Sequence, residues 1–201
     1  RSLINIGGGI GNLMDVTEKA LHPEGPSGMK ISNKDCINLY KSMYLIRRTE
    51  ELIAENYKKQ QMRCPVHLSV GQEAAATGVC STLNKKDLII STHRSHAHYL
   101  AKGGNLYKMI SELHGKKDGS SAGLGGSMHL QDYTSGVIAS VPIVGSTIPI
   151  GVGIAMANKK LNKNNIVVIF FGGNASANDR SLGIKSEFNF IETLAKYQVP
   201  T

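Results

Sequence analysis

Apolar residues Ile37, Tyr40, Tyr44, Leu45, Leu52 and Ile53 recur at helical spacing between Ser32 and about Lys59. That spacing predicts one long helix, and Ser32 with Asp35 three positions on supplies its N-terminal cap. An alanine-rich stretch, 71–83, predicts a second helix, and Asp87 to Ser91 a short buried strand. Two helical pieces follow on either side of Gly103-Gly104, a natural stop and restart, the second ending near Gly115. From Lys116 to Gly136 the periodicity dissolves into Gly, Ser and Ala. A connector of that length inside a domain is usually functional or disordered. A helix over 147–161 comes next, then the continuous apolar run Ile166 to Phe171, bounded by Asn165 and Gly172. A six-residue run of β-branched and aromatic residues predicts a central strand of a parallel sheet, apolar on both faces. A last helix is expected from about Ser186 to Lys196.

Strand, loop and helix in alternation predict an α/β doubly wound fold, with a parallel central sheet flanked by helices. Residues 1–30 carry no such pattern and are set apart as a leader; residues 31–201 are read as one domain. No apolar run approaches the roughly 20 residues that cross a bilayer, so a spanning protein is excluded. The chain opens on Arg1 and its first residues lack the features of a secretory signal, so a processed, trimmed or fragmentary start is expected.

The net charge of +8 raises the question of anionic partners. The lysines are dispersed along the chain, there is no Trp, and aromatics make up only 5%, so stacking platforms for nucleic acid find no support. Cys36, Cys64 and Cys80 show no paired metal spacing and read as reduced thiols in a cytosol-like compartment.

Ligands of open parallel sheets bind beyond the carboxyl ends of the strands, which directs attention to the segments after Ser91 and Phe171. Within Ser91 to His98, a metal reading of His96 and His98 fails if the segment is helical, because residues two apart do not then face each other. Arg94, at a predicted helix start, reads either as an anion clamp, its planar fork aided by free backbone N–H groups, or as a surface arginine in a cap. Local sequence does not choose. Gly115-Lys116-Lys117-Asp118 lacks the Ser or Thr of a phosphate-binding loop, and the third glycine expected after Gly7 and Gly9 falls on Asn12.

Four segments together carry a resemblance. They are His67-Leu68-Ser69-Val70-Gly71-Gln72-Glu73-Ala74, Ser91 to His98, Gly125-Gly126-Ser127-Met128-His129, and Ile143-Val144-Gly145-Ser146-Thr147-Ile148-Pro149. In order and spacing they resemble the alpha subunits of thiamin-diphosphate-dependent 2-oxo acid dehydrogenases, including pyruvate and acetoin dehydrogenases. The likeness runs from about Leu39 to Pro200. It implies a thiamin-diphosphate-binding fold over residues 31–201, incomplete at its C-terminal side. It implies that His93 and Arg94 contact the diphosphate, that backbone between Pro142 and Val144 binds the aminopyrimidine, and that the Val144 side chain holds the cofactor bent. His129 would lie in a loop that orders over the active site, as a catalytic candidate. Glu73, though inside a motif, is expected to serve structure. The glutamate that activates the aminopyrimidine resembles a contribution of a separate beta subunit.

The implied partners are that beta subunit, in an α2β2 assembly, a lipoyl-bearing acyltransferase, and a small 2-oxo acid. The implied location is the cytoplasm, or the mitochondrial matrix or plastid in a eukaryote. The implied cofactors are thiamin diphosphate and Mg²⁺. Here the sequence departs from the family, which has Gly-Asp-Gly-Ala after the strand where this chain has Gly172-Gly173-Asn174-Ala175. Glycine offers no side-chain oxygen to Mg²⁺. Asn174 and Asp179 are the remaining metal-ligand candidates, in a weakened or rearranged site. A catalytically silent paralogue or fragment, serving as a subunit-interaction module, is the alternative that this departure motivates.

Overall fold

The computed structural model describes residues 31–172; the helix expected at 186–196, the leader, and Gly173, Asn174, Ala175 and Asp179 lie outside the described residues.

Helix α1, Asn33–Tyr57, begins where its cap is expected: Ser32 Oγ accepts the Asp35 N–H at 3.1 Å, and the Ser32 hydroxyl donates back to Asp35 Oδ2 at 2.6 Å. The buried stripe differs from the expected one. Ile46, Thr49, Glu50 and Ile53 face inward, while Ile37, Tyr40, Tyr44, Leu45 and Leu52 are exposed, Tyr40 by 64%. Helix α2, Glu73–Ser81, and α3, His96–Ala101, pack on that inward face. It admits the Glu50 carboxylate because the Ser69 N–H and His96 pair with it there, so hydrophobicity alone misassigns the face.

Strand β1, Leu88–Ser91, runs parallel to both neighbours, β2, Val137–Ser140, and β3, Val167–Ile169, in the order β2-β1-β3. The α/β expectation holds, with two corrections. Strand β2 is absent from the sequence reading, because its four residues, Val-Ile-Ala-Ser, carry too little pattern to stand out. The run from Ile166 is not central among the described residues: β1 is, and Ile166 and Phe171 at the ends of the β3 run are each about half exposed. Strands β1 and β3 pair Leu88 with Val167, Ile89 with Val168 and Ile90 with Ile169. Asp87 locks that register, its Oδ1 accepting the Ile166 N–H at 3.1 Å and its Oδ2 the Asn84 N–H at 2.7 Å.

Helices α3 and α4, Leu106–Leu113, flank Gly103-Gly104 as expected, with Gly103 at φ +94° and Asn105 capping α4 through the Lys108 N–H. Helix α5, Thr147–Lys160, lies on β1 and β3. Gly151 permits the close approach: a Cβ there would come within 2.6 Å of Ile169 Cδ1 and 3.2 Å of Ile90 Cγ2. The core gathers Ile46, Ile53, Ala76, Ile89, Tyr99, Met109, Leu113, Leu130 and Val137 between α1, the sheet and α4.

Candidate functional site

Three parallel strands carry their carboxyl ends to one edge, and the segments singled out in the sequence leave from that edge. Ser140 of β2 lies beside Ser91 of β1, and the Val141 N–H donates to Ser91 O at 3.0 Å. Across β1, the Phe170 N–H donates to Ile90 O at 2.9 Å. The turn bearing His93 and Arg94 is therefore flanked by Pro142–Val144 on one side and by Phe171-Gly172 on the other.

His93 is half-buried and meets His67 edge to face, with ring centroids 5.1 Å apart. Burial lowers its pKa below the ordinary histidine value, and the His67 and Arg94 charges add to that. The neutral ring is favoured. Arg94 is exposed; its Nη1 donates to the Leu68 carbonyl, and its own carbonyl accepts the Ser69 hydroxyl at 3.3 Å. No carboxylate pairs with it among the described residues. Helix α3 starts two residues later and spans six residues, too short for its dipole to matter much, so an anion here would be held by the guanidinium. Pro142 and Val144 are half-buried, and Gly145 turns the chain at φ +88° before α5. Gly172 is exposed, with nothing within 4 Å of where its Cβ would be.

His98 and Phe170 stack at 4.0 Å behind this edge, and His98 Nδ1 lies 2.7 Å from Ser91 Oγ. Burial pushes the His98 pKa down to about 4, so the ring is neutral. His96 points elsewhere, into the core, where its Nδ1 lies 2.9 Å from Glu50 Oε1, so the two rings do not share a face.

The glycine-rich stretch is built, not loose. The buried carboxylate of Glu112 accepts four backbone N–H groups: Ser121 and Gly123 on Oε2 at 2.7 and 2.9 Å, Gly125 and Gly126 on Oε1 at 2.7 and 3.0 Å. Burial works against its charge, but those four bonds prevail and hold its pKa below the ordinary carboxylate value. A Cβ on Gly119 would come within 2.7 Å of the Glu112 Cα, so glycine is required for the loop to wrap so closely. His129 follows, exposed, its Nδ1 3.0 Å from Gly125 O. It borders an open pocket of about 380 Å³ lined by Ser121, Leu124, Gly125, Leu130, Gln131 and Ala139 to Val141. The pocket joins the loop to the carboxyl end of β2. Glu73 serves structure: its carboxylate takes Arg47 Nε at 2.7 Å and Nη2 at 3.1 Å, and the Gly71 N–H at 3.0 Å.

Sequence reasoning missed Glu50, Glu112 and Ser127 as organising groups. Their partners are backbone amides or residues far along the chain, so local pattern does not reveal what they bind. One signal was present: Glu112 and Glu50 stand on helix faces otherwise turned to the core.

No helix among the described residues is long and apolar enough to cross a membrane. The sequence profile of the family described as dehydrogenase E1 component matches residues 41–189. The chain is 38% identical over 151 residues to pyruvate dehydrogenase E1 component subunit alpha-1, mitochondrial, of Arabidopsis thaliana, covering 75% of this chain and 39% of that one. It is 37% identical over 149 residues to the alpha subunit of acetoin:2,6-dichlorophenolindophenol oxidoreductase of Bacillus subtilis (strain 168), covering 74% and 45%. The yeast Saccharomyces cerevisiae pyruvate dehydrogenase alpha subunit is 37% identical over 145 residues, covering 72% and 34%. This chain spans less than half the length of these curated relatives. With a matching profile across most of its length and alpha subunits as its relatives, the chain belongs to the dehydrogenase E1 component family.

Proposed function

We propose that this chain forms the diphosphate-gripping part of a thiamin diphosphate site in the alpha subunit of a 2-oxo acid dehydrogenase. The reaction is oxidative decarboxylation of a 2-oxo acid, or cleavage of acetoin, with acyl transfer to a lipoyl carrier. The observation that carries this reading is the convergence of the Arg94 turn, Pro142–Val144 and Gly172 at one sheet edge. The donor set suits the cofactor's anionic end. Arg94 keeps guanidinium N–H groups beyond the one given to Leu68 O, and buried Nδ1 of His67 has no hydrogen-bond partner among the described residues. A phosphate oxygen or hydroxyl would satisfy both kinds of group.

When bound, thiamin diphosphate supplies the electron sink for breaking the bond beside the substrate carbonyl. Arg94, with His93 beside it, grips the diphosphate. Backbone between Pro142 and Val144 would hold the aminopyrimidine, and the Val144 side chain would pack against the bound cofactor. The loop bearing His129 excludes water and lines the substrate approach. A beta subunit supplies the glutamate this chain does not provide, in an α2β2 assembly, and a lipoyl-bearing acyltransferase receives the product. The location is the cytoplasm or an organelle matrix. Were Mg²⁺ bound beside the diphosphate, Asn174 or Asp179 would be the side chains to offer it oxygen, Gly173 having none.

The test is titration of thiamin diphosphate with Mg²⁺ into the full alpha chain assembled with its beta partner. Saturable binding weakened by roughly 10- to 100-fold in Arg94→Ala supports the reading, the loss matching about 1.5–3 kcal/mol for charge-assisted bonds. Binding untouched by that substitution refutes the grip. The second reading, a silent subunit-interaction module, is favoured by Gly173 standing at the family's aspartate. Intact assembly with no saturable cofactor binding supports it.

A further inference from the structure

Beneath the proposed site lies a buried chain of three side chains that the cofactor reading does not use. Glu50 on α1 and His96 at the start of α3 are both 0% exposed, and Ser127 in the turn Gly126–Met128 is 1% exposed. Glu50 Oε1 lies 2.9 Å from His96 Nδ1, and His96 Nε2 lies 2.8 Å from Ser127 Oγ. The ends continue through the backbone. Glu50 Oε2 accepts the Ser69 N–H at 3.2 Å, and Ser127 Oγ accepts the His67 N–H at 3.2 Å. Ser69 then donates its hydroxyl to Arg94 O, Arg94 Nη1 donates to Leu68 O, and Ser95 donates its hydroxyl to Ser127 O at 3.3 Å.

The Glu50 carboxylate only accepts, so His96 Nδ1 carries a hydrogen and donates it to Glu50. With the ring neutral, Nε2 is then an acceptor and takes the Ser127 hydroxyl hydrogen, while Ser127 Oγ accepts the His67 N–H. The side-chain polar atoms of Glu50, His96 and Ser127 are all paired, and the circuit closes through the backbone of residues 67–69 and 94–96. In connectivity it matches a Ser-His-Glu hydrolytic triad. That role fails here, because Ser127 Oγ is buried and the pocket at His129 is lined by Gly125 and His129 but not by Ser127.

We infer that Glu50, His96 and Ser127 form a positioning relay that fixes the Arg94 turn against the loop bearing His129. The relay rests on the proposed cofactor reading for its purpose, though not for its geometry. The circuit determines where the guanidinium stands, and Ser127 lies two residues before His129. These are positioning residues: none reaches the site edge, and each acts through Ser69, Arg94 or the loop. Groups that orient a primary contact in this way typically alter affinity or activity by roughly 10- to 100-fold when removed.

The experiment compares wild type, Ser127→Ala and Glu50→Gln, singly and together, in the full alpha–beta enzyme. It reads cofactor affinity by titration, thermal midpoint, and amide hydrogen exchange. Ser127→Ala is expected to raise the thiamin diphosphate Kd by roughly tenfold or more and to speed exchange at Ser69 and Ser95, away from the substitution. The double variant is expected to be little worse than the weaker single one, as for groups acting in one circuit. A lowered thermal midpoint with unchanged Kd, and exchange altered only at residues 125–129, overturns the relay. Additive effects on Kd overturn it as well. If wild type binds no thiamin diphosphate while exchange at Ser69 and Ser95 still responds, the proposed function falls and the relay stands.

Discussion

Replacing Glu112 by Gln tests whether one carboxylate builds the glycine-rich loop. The native carboxylate takes two N–H groups on each oxygen, those of Ser121 and Gly123 and those of Gly125 and Gly126. A glutamine keeps one accepting oxygen, so two of the four bonds survive and the NH₂ group faces two other donors. Two lost charge-assisted bonds at about 1.5 kcal/mol each give about 3 kcal/mol, limited above by the free energy at which the loop detaches. Urea unfolding followed by circular dichroism measures the loss, and hydrogen exchange at Ser121, Gly123, Gly125 and Gly126 locates it. The pH dependence carries a second signature. The folded pKa of Glu112 is depressed from its ordinary 4.5, so its stabilisation is full above that value and is lost as pH falls through the lower folded value. The Gln variant lacks that acid-sensitive component. A loss under about 1 kcal/mol with all four amides still protected would refute the account, because charge-assisted bonds of that number cannot be so weak.

Glu73, held down to about 2 by its bonds to Arg47, stabilises the fold above its ordinary 4.5 and loses that contribution as pH falls toward 2; in Arg47→Leu, acid unfolding followed by far-ultraviolet circular dichroism should begin at higher pH. His98, with its pKa lowered to about 4 by burial, is neutral in the fold but protonates near 6.5 when unfolded, so stability should decline as pH drops from 6.5 to 4. His98→Phe, which keeps the stack on Phe170, should flatten urea midpoints across that window. Gly151→Ala forces a methyl against Ile169 and should destabilise by about 1–3 kcal/mol in thermal or urea unfolding. Gly173→Asp should strengthen Mg²⁺-dependent thiamin diphosphate binding, measured by titration with and without the metal; no gain would indicate that the metal is held elsewhere.

Much of the scaffold was legible because local rules decide it. The Ser32 cap, the Gly103-Gly104 break, the strand ending at Ser91 and the helix from Thr147 all follow from short-range periodicity and turn chemistry. Arg94 and Gly172 could be placed on the carboxyl ends of strands, since parallel sheets put their connections there, whereas Val144 entered only through the family resemblance. Strand β2 was hidden: four residues of mixed polarity become a strand only when Ile89 and Ser91 offer a ladder to pair with. The inward face of α1 was misread for a related reason, because Glu50 is tolerated inside only by partners distant in sequence.

The sequence by itself therefore determined most of the alternation of elements and the loops that leave β1 and β3, each set within a few turns of chain, and the family through four short segments in order. Tertiary structure alone decided that Glu50 would meet His96 and Ser127, and that Glu112 would gather the glycine amides of a loop. Such contacts depend on where separate segments lie in space, and burial makes them strong only once the fold has excluded water from around them.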